Sequence, residues 1–181
     1  MVYVFLADGF EEIEALAPVD ILRRGGVEVK TVGIGSDKIT GSHGITVSCD
    51  LSEKEVSLDN IEAIVLPGGM PGTANLEKSD TVNNAIDFAY QNGKIIGAIC
   101  AAPSIIGKKG MLSGKNATCF PGFEQYLLDA HILDLPAVSD GNIITSCGAG
   151  AALEFGFYLL EALKDKSTAS SLRRSMKYSW E

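Results

Sequence analysis

The sequence predicts an α/β protein, a three-layer α/β/α sandwich around a mostly parallel central sheet. Short apolar runs alternate with segments of helical apolar spacing along the whole chain, which is typical of β-α units. The first run, residues 2–7, is almost unbroken, as expected for a central strand that is covered on both faces. Turns rich in glycine or small residues follow several of the runs, as expected at strand ends.

The length and composition favour one globular domain, expected over residues 1–181. Hydrophobic residues make up 46% of the chain, which is enough for a core and excludes intrinsic disorder. The longest apolar runs fall far short of the roughly 20 residues that span a bilayer. We therefore expect no membrane partner.

Charge and cysteine usage exclude further classes. The formal net charge is −8, and the basic residues are scattered, so a nucleic-acid partner is not expected. The four cysteines form no C-x-x-C pair and only two histidines are present, which argues against a metal site and a disulfide framework. The N-terminus lacks the basic segment of a signal peptide. We expect a cytoplasmic protein with reduced thiols and no cofactor.

The first half of the chain predicts two strands, a helix and a hairpin. After strand 2–7, residues 11–25 have helical apolar spacing, with Pro18 kinking the helix or starting a new turn. Residues 27–34 alternate like a second strand. Two glycines within residues 39–49 suit an antiparallel hairpin that forms a flap.

The middle of the chain predicts two more buried strands, 61–66 and 94–99. Residues 67–72 hold three glycines and two prolines, and such a loop leaves backbone N–H groups exposed. A helix capped by Ser79 is expected within residues 75–92.

The last third predicts shorter elements. The expected elements are a helix at 101–109, a short strand at 116–119, a helix at 121–128, a hairpin joining 137–138 to 143–144, a small-residue loop at 146–150, a helix at 151–163 and a weaker helix in the basic tail 164–181.

Cys100 stands where a buried strand turns into a helix. Ala98 and Ala102 flank it at the two positions where a nucleophile elbow needs small side chains. Unpaired N–H groups and the dipole at a helix N-terminus favour an anion, so we expect a lowered pKa for this thiol. The alternative is a cysteine that merely packs at a strand end.

Three strand ends carry unusual residues that could meet at one edge of a parallel sheet. These are the acidic run 11–14, the Gly68–Gly69 pair and Cys100. The amides of the two glycines and of Ala101 could form an oxyanion pocket beside the sulfur, while a carboxyl group moves a proton. Alternatively, the glycines are ordinary turn residues and the acids a favourable first helical turn.

Several motifs occur in one order along the chain: Leu6-Ala7-Asp8-Gly9-Phe10-Glu11-Glu12-Ile13-Glu14, Val65-Leu66-Pro67-Gly68-Gly69, Ala98-Ile99-Cys100-Ala101-Ala102-Pro103 and Glu154-Phe155. Together they resemble the ThiJ/PfpI family, also called the DJ-1 superfamily, and in particular its small dimeric branch. The resemblance implies a flavodoxin-like sandwich and a homodimer. It also implies that Cys100 is a reactive, oxidation-prone cysteine, that Glu14 contacts its sulfur, and that Gly69 and Ala101 supply oxyanion amides.

The chain departs from the family pattern at several positions. Phe120 stands where many relatives carry a histidine, and Cys147 where the family often has an arginine. His43 lies near another usual arginine position and could keep a weak positive charge there. Cys119 and Cys147 could resolve an oxidised Cys100 if they lie close to it, or could be buried packing residues. Ala101 replaces the histidine of the intracellular proteases, so peptidase activity is not expected.

The resemblance supports two functions. In the first, the Cys100 thiolate attacks a small reactive aldehyde and Glu14 shuttles protons, in glutathione-independent glyoxalase III or deglycase-type chemistry that converts methylglyoxal to lactate. In the second, the protein is an oxidative-stress sensor or a protective, chaperone-like protein whose Cys100 oxidises to a sulfinate.

Overall fold

A seven-stranded sheet forms the centre of the computed structural model, which describes residues 1–178; residues 179–181 lie outside the described part. The strands are β1 (Val2–Leu6), β2 (Val29–Gly33), β3 (Lys38–Thr40), β4 (Thr46–Ser48), β5 (Leu51–Ser52), β6 (Ala63–Leu66), β7 (Ile95–Ile99), β8 (Asn116–Ala117), β9 (His131–Ile132), β10 (Ala137–Asp140) and β11 (Ile143–Ser146). The helices are α1 (Glu12–Arg24), α2 (Gly72–Lys78), α3 (Asp80–Gln91), α4 (Pro103–Lys108), α5 (Ala152–Leu163) and α6 (Lys166–Ser175).

The sheet order is β10-β11-β7-β6-β1-β2-β5, and its neighbours pair in parallel except for the β10–β11 hairpin. This confirms the mostly parallel sheet and the central position of the first strand. The predicted flap is the antiparallel β3–β4 hairpin, which forms a separate two-stranded sheet.

Helices cover both faces of the sheet. Side chains of a strand alternate between the two faces, so each face has its own apolar cluster. Along β1, Val2, Val4 and Leu6 pack in one buried cluster with α1 and α5. Tyr3 and Phe5 pack in a second cluster with α3 and α4. The three-layer, flavodoxin-like α/β/α sandwich is therefore confirmed.

The helix expected within residues 75–92 and capped by Ser79 is α3, and a further helix that was not predicted, α2, ends at Ser79. Ser79 has extended backbone, with ψ of 123°, which ends α2. Its side chain accepts a hydrogen bond from the Val82 amide at 3.3 Å and so caps α3, as expected. The predicted cap at Ser79 is therefore confirmed.

The helix predicted at 121–128 is wrong. Gly122 adopts φ of 97°, outside the helical region, and only a 3-10 turn at Glu124–Tyr126 forms. The helix predicted from residue 101 begins at Pro103. The two-residue strands β5 and β9 were not predicted, because elements this short have no detectable periodicity.

The basic tail forms α6, as expected. Residues 179–181, which belong to the predicted tail and to the expected 1–181 domain, lie outside the described residues. The Arg173 guanidinium makes two hydrogen bonds, 2.6 and 2.7 Å long, to the Glu154 carboxylate of α5. This paired contact attaches the tail to the outer helical layer. Across residues 1–178, the helices are all too short or too polar to cross a bilayer.

Candidate active site

Cys100 lies in a strained turn between β7 and α4. Its φ of 63° is left-handed, which is uncommon for a residue with a side chain. Hydrogen bonds hold this conformation on both sides: the Cys100 amide donates to the Ser146 carbonyl at 2.8 Å, and the Cys100 carbonyl accepts from the Phe120 amide at 2.9 Å. Ala98 and Ala102 are fully buried beside the turn. The backbone thus has the geometry of a nucleophile elbow.

Glu14 reaches the Cys100 sulfur from α1. Its side chain is 1% exposed, and its carboxyl group forms a hydrogen bond with the Cys100 thiol. The Oε2 atom of Glu14 also accepts from the Gly68 amide at 2.9 Å. The Glu11 side chain caps α1 by accepting from the Glu14 amide at 2.8 Å, which positions this first helical turn.

The Gly68–Gly69 pair has a specific steric role. A Cβ atom at Gly68 would lie 2.5 Å from Glu14 Oε2 and 2.6 Å from Cys100 Cβ, so this position excludes any side chain. Gly69 has φ of 88°, a conformation that glycine adopts without strain. The Gly69 and Ala101 amides both donate to the Cys100 sulfur, so negative charge on this atom has two backbone donors.

The pKa values of the pair differ from the sequence-based expectation. Burial, with a contribution from the Glu11 charge, raises the pKa of Glu14 from 4.5 to about 7. Burial, followed by the charge of Glu14, raises the pKa of Cys100 to about 12. The predicted lowering of the Cys100 pKa is therefore wrong. Hydrogen bonds from the Ala101 and Gly69 amides lower the pKa of Cys100, but burial and the Glu14 charge outweigh them. The helix α4 begins three residues after Cys100, so the thiol is not at its first turn.

The fully protonated pair carries two protons, one on the Glu14 carboxyl group and one on the Cys100 thiol. Near pH 7 it loses one of them to solvent and retains the other. After the first ionisation, the resting form is a Glu14 carboxylate next to a Cys100 thiol. Transfer of the remaining proton across the shared hydrogen bond gives the thiolate and a neutral Glu14. The site can therefore produce a thiolate at the moment of reaction.

Phe120 and Cys147 lie beside this pair. Phe120 is 47% exposed, and a Cβ atom at Gly148 would lie 3.3 Å from its ring and 4.0 Å from Glu14 Oε1. Phe120 and the loop after β11 line a groove of about 700 Å³, together with Cys147, Pro136 and Ile132. A phenyl ring cannot act as an acid or base, so Glu14 is the titratable side chain that contacts the sulfur in the described residues.

Cys119 also lines this groove but packs into the core, and His43 lies apart from it. Cys119 is 6% exposed and belongs to the buried cluster with α3 and α4, whereas Cys100 packs against the opposite cluster. His43 lies on the connection of the β3–β4 hairpin, where its Nδ1 atom is 2.9 Å from Glu12 Oε2 and 3.9 Å from Glu11 Oε1. His43 therefore interacts with the acids at the start of α1.

Glu12 is a buried acid whose role was not predicted. Its carboxylate accepts hydrogen bonds from the His43 amide at 2.8 Å, from the His43 ring and from the Ile45 amide. Although burial alone would raise the pKa of Glu12, these bonds lower it to about 2. Glu11, Glu12 and His43 place possible metal-ligand atoms within 4.8 Å of one another, but the Glu12 oxygens already serve the hairpin.

Comparisons with known proteins identify similar sequences and structures. The model of the DJ-1/PfpI family matches residues 1–162. The chain is 34% identical over 176 residues to the protein dj-1beta of Drosophila melanogaster, covering 96% of this chain and 94% of that protein. It is 34% identical over 151 residues to a protein named as a deglycase in Pyrococcus abyssi, covering 80% and 88%. The oxidised DJ-1 structure of Toxoplasma gondii superimposes with a TM-score of 0.94 at 30% identity, covering 99% and 98%.

Proposed function

The chain belongs to the DJ-1/PfpI family, and we propose that it acts on small reactive carbonyl compounds through Cys100 and Glu14. The observation that carries this proposal is the buried thiol–carboxyl pair, with the Gly69 and Ala101 amides directed at the sulfur. The similarity to a protein named as a deglycase supports the same class of substrate. The specific reaction that we propose is glutathione-independent conversion of methylglyoxal to lactate.

In the first step, the Cys100 sulfur attacks the aldehyde carbon while its proton passes to the Glu14 carboxylate. A hemithioacetal forms when that proton reaches the aldehyde oxygen. The Gly69 and Ala101 amides stabilise the negative charge as it moves from the carboxylate through the sulfur. Glutathione is not required, because Cys100 supplies the thiol.

In the second step, Glu14 removes the proton from the carbon bonded to sulfur and returns it to the neighbouring carbonyl carbon, while the hydroxyl proton of the hemithioacetal moves to the neighbouring ketone oxygen. The product is a thioester of lactate on Cys100. Water then cleaves the thioester and releases lactate and the free thiol. Because Phe120 replaces a basic side chain, Glu14 serves all of these proton transfers.

The second candidate is a stress-responsive protein in which Cys100 oxidises to a sulfinate. A pKa of about 7 leaves a large fraction of Glu14 protonated near neutral pH. A protonated Glu14 can donate a hydrogen bond to a sulfinate oxygen, whereas the carboxylate would repel the anion. The same residues therefore support the sensor function without turnover.

We further propose that the protein is a cytoplasmic homodimer. The cysteines of the described chain are all free thiols, as expected for a reducing compartment. The α1 side chains Ile13 and Leu16 are 56% and 37% exposed, and Ile45 on the neighbouring hairpin connection is 55% exposed. Apolar side chains grouped on one face favour burial against a second copy.

The test is lactate formation from methylglyoxal without glutathione by the wild type, Cys100→Ser, Glu14→Gln and the control Cys49→Ser. We expect turnover by the wild type and the control, and a loss of roughly 10²–10⁴-fold in both site variants. Because the carboxylate form accepts the thiol proton, kcat/KM should fall as the pH drops below about 7. An inert wild type whose Cys100 gains two oxygens from peroxide would support the sensor function instead.

A further inference from the structure

Two cysteines stand at the ends of neighbouring parallel strands. In the β7–β11 pair, Ile99 is opposite Ser146, so the next residues along the two strands are Cys100 and Cys147. The Cys100 amide donates to the Ser146 carbonyl at 2.8 Å. With fixed peptide geometry, this bond holds the two cysteine Cα atoms within about 7 Å of each other. Disulfide-bonded cysteines have Cα atoms roughly 4.4–6.8 Å apart.

The two thiols also share the surroundings of Glu14. The Glu14 carboxyl group hydrogen-bonds to the Cys100 thiol. Burial raises the pKa of Cys147, and the charges of Asp134 and Glu14 raise it further, which places Cys147 in the electrostatic field of the same carboxylate. Gly148 follows Cys147, and a Cβ atom built at Gly148 would lie 4.0 Å from Glu14 Oε1.

The exposure of the two cysteines and the small residues after Cys147 favour a reaction between the two thiols. Both cysteines are half-buried, so peroxide can reach the pair and neither sulfur is enclosed in the core. The residues after Cys147 are Gly148, Ala149 and Gly150, and a Cβ atom at Gly150 would meet nothing within 4 Å. These small residues add little side-chain bulk beside Cys147.

The other two cysteines differ from Cys147 in burial or position, although Cys119 lines the same groove as Cys147. Cys119 is buried in the cluster with α3 and α4, and the charge that raises its pKa, after burial, is that of Glu124. Cys49 lies beside Gly33 at the end of β2, which is three strands away from β7 in the sheet, and it is close to Asp50 and Asp37. These two residues provide matched controls for the thiol of Cys147.

We propose that Cys147 is a resolving cysteine, and that peroxide oxidation of Cys100 ends in an intramolecular Cys100–Cys147 disulfide. The Cys100 sulfur, after passing its proton to Glu14, attacks a peroxide oxygen. The O–O bond breaks, Cys100 becomes a sulfenic acid, and the departing oxygen leaves as water or alcohol with the proton from Glu14. The Cys147 sulfur then attacks the Cys100 sulfur, the S–O bond breaks, and hydroxide leaves as water with the Cys147 proton. Two thiols are oxidised and one peroxide is reduced.

This second step competes with further oxidation of the sulfenic acid. The neighbouring thiol is held in the same protein, so its attack needs no diffusional encounter. The disulfide is reversible by thiol reductants, whereas a sulfinate is not. The inference does not depend on aldehyde turnover, because it concerns only the reaction of Cys100 with peroxide. It replaces the sulfinate of the second candidate function with a disulfide as the end product in the wild type.

The experiment treats the full-length wild type, Cys147→Ser, Cys119→Ser and Cys49→Ser with one to several equivalents of hydrogen peroxide. Intact mass, peptide mapping and free-thiol counts are measured before and after dithiothreitol. We expect the wild type and both controls to lose about 2 Da and to form a Cys100–Cys147 peptide that dithiothreitol reverses. Cys147→Ser should instead gain about 32 Da on Cys100, and dithiothreitol should not remove this mass.

Three results would overturn the proposal. The first is a wild type that gains oxygen on Cys100 while Cys147 remains a free thiol. The second is a disulfide that Cys119→Ser or Cys49→Ser abolishes, or that joins two chains on a non-reducing gel. The third is a wild type that peroxide leaves unchanged. A thermal melt of Cys147→Ser establishes that its different product does not come from unfolding.

Discussion

At the scale of single residues, the site depends on Glu14 and Cys100 sharing a buried hydrogen bond. Burial disfavours charge on both groups, and each would repel the anion of the other. The pair therefore holds one negative charge near neutral pH, and the position of the remaining proton decides whether the sulfur is nucleophilic. Reactivity is thus linked to a proton transfer within the pair rather than to a standing thiolate.

Gly68 should be essential to this pair for steric reasons. In Gly68→Ala, the new methyl group would meet Glu14 Oε2 and Cys100 Cβ, and would push the two side chains apart. We expect a loss of roughly 10²-fold in turnover of methylglyoxal, because small displacements of reacting groups are costly. The assay is steady-state lactate formation.

The matched control is Gly150→Ala, where the added Cβ atom meets nothing within 4 Å. This variant should keep wild-type turnover and the same melting temperature. Wild-type activity in a folded Gly68→Ala protein would contradict the assigned steric role. Circular dichroism separates a misplaced pair from a failure to fold.

At the scale of elements, the β3–β4 hairpin is attached to the segment that carries the site. The Gly9 amide donates to the Thr40 carbonyl at 2.8 Å, and the Ser42 amide donates to the Phe10 carbonyl at 2.7 Å. Glu12 accepts from the His43 and Ile45 amides of the same hairpin connection. The hairpin thereby restrains the start of α1, two residues before Glu14.

The attachment should weaken at high pH. The hydrogen bond to Glu12 raises the pKa of His43 above 6.5, with a smaller contribution from Glu11. The protonated ring is therefore stabilised in the folded state, and this stabilisation is complete below about pH 6.5 and lost as the pH rises through the folded pKa. We expect hydrogen-exchange protection of the hairpin amides to be lower at pH 9 than at pH 6.

His43→Ala should remove this pH dependence and give low protection at both pH values. The control is His131→Ala, because His131 is exposed on β9, away from the hairpin. Protection that is equal at the two pH values in the wild type would show that the His43 ring does not hold the hairpin. Protection factors, rather than raw exchange rates, are compared because intrinsic exchange also depends on pH.

At the scale of the whole molecule, the proposed homodimer would bury the exposed apolar side chains of α1 and the hairpin connection. Ile13→Lys places a charge at the centre of the exposed α1 side chains and should shift the protein from dimer to monomer. Sedimentation velocity at several concentrations measures this change. Tyr90→Lys, at an exposed position on α3, should stay dimeric, and a monomeric wild type would contradict the proposal.

The residue pattern alone predicts the layers, the central first strand, the hairpins, the Ser79 cap and the turn at Cys100. These features depend on spacing of two to four residues along the chain, so local periodicity and small-residue positions are sufficient to reveal them. The family resemblance, carried by motifs at the strand ends, adds Glu14 as the partner of Cys100.

Other features depend on contacts between distant segments, and only the tertiary structure reveals them. The raised pKa of Cys100 comes from burial and from Glu14, which is 86 residues away in the sequence. Glu12 binds a hairpin that begins 26 residues later, and Cys147 follows the residue paired with Ile99 because β11 pairs with β7. Burial, charge and proximity of this kind arise when the sheet brings separate strand ends to one edge, and no local pattern contains that information.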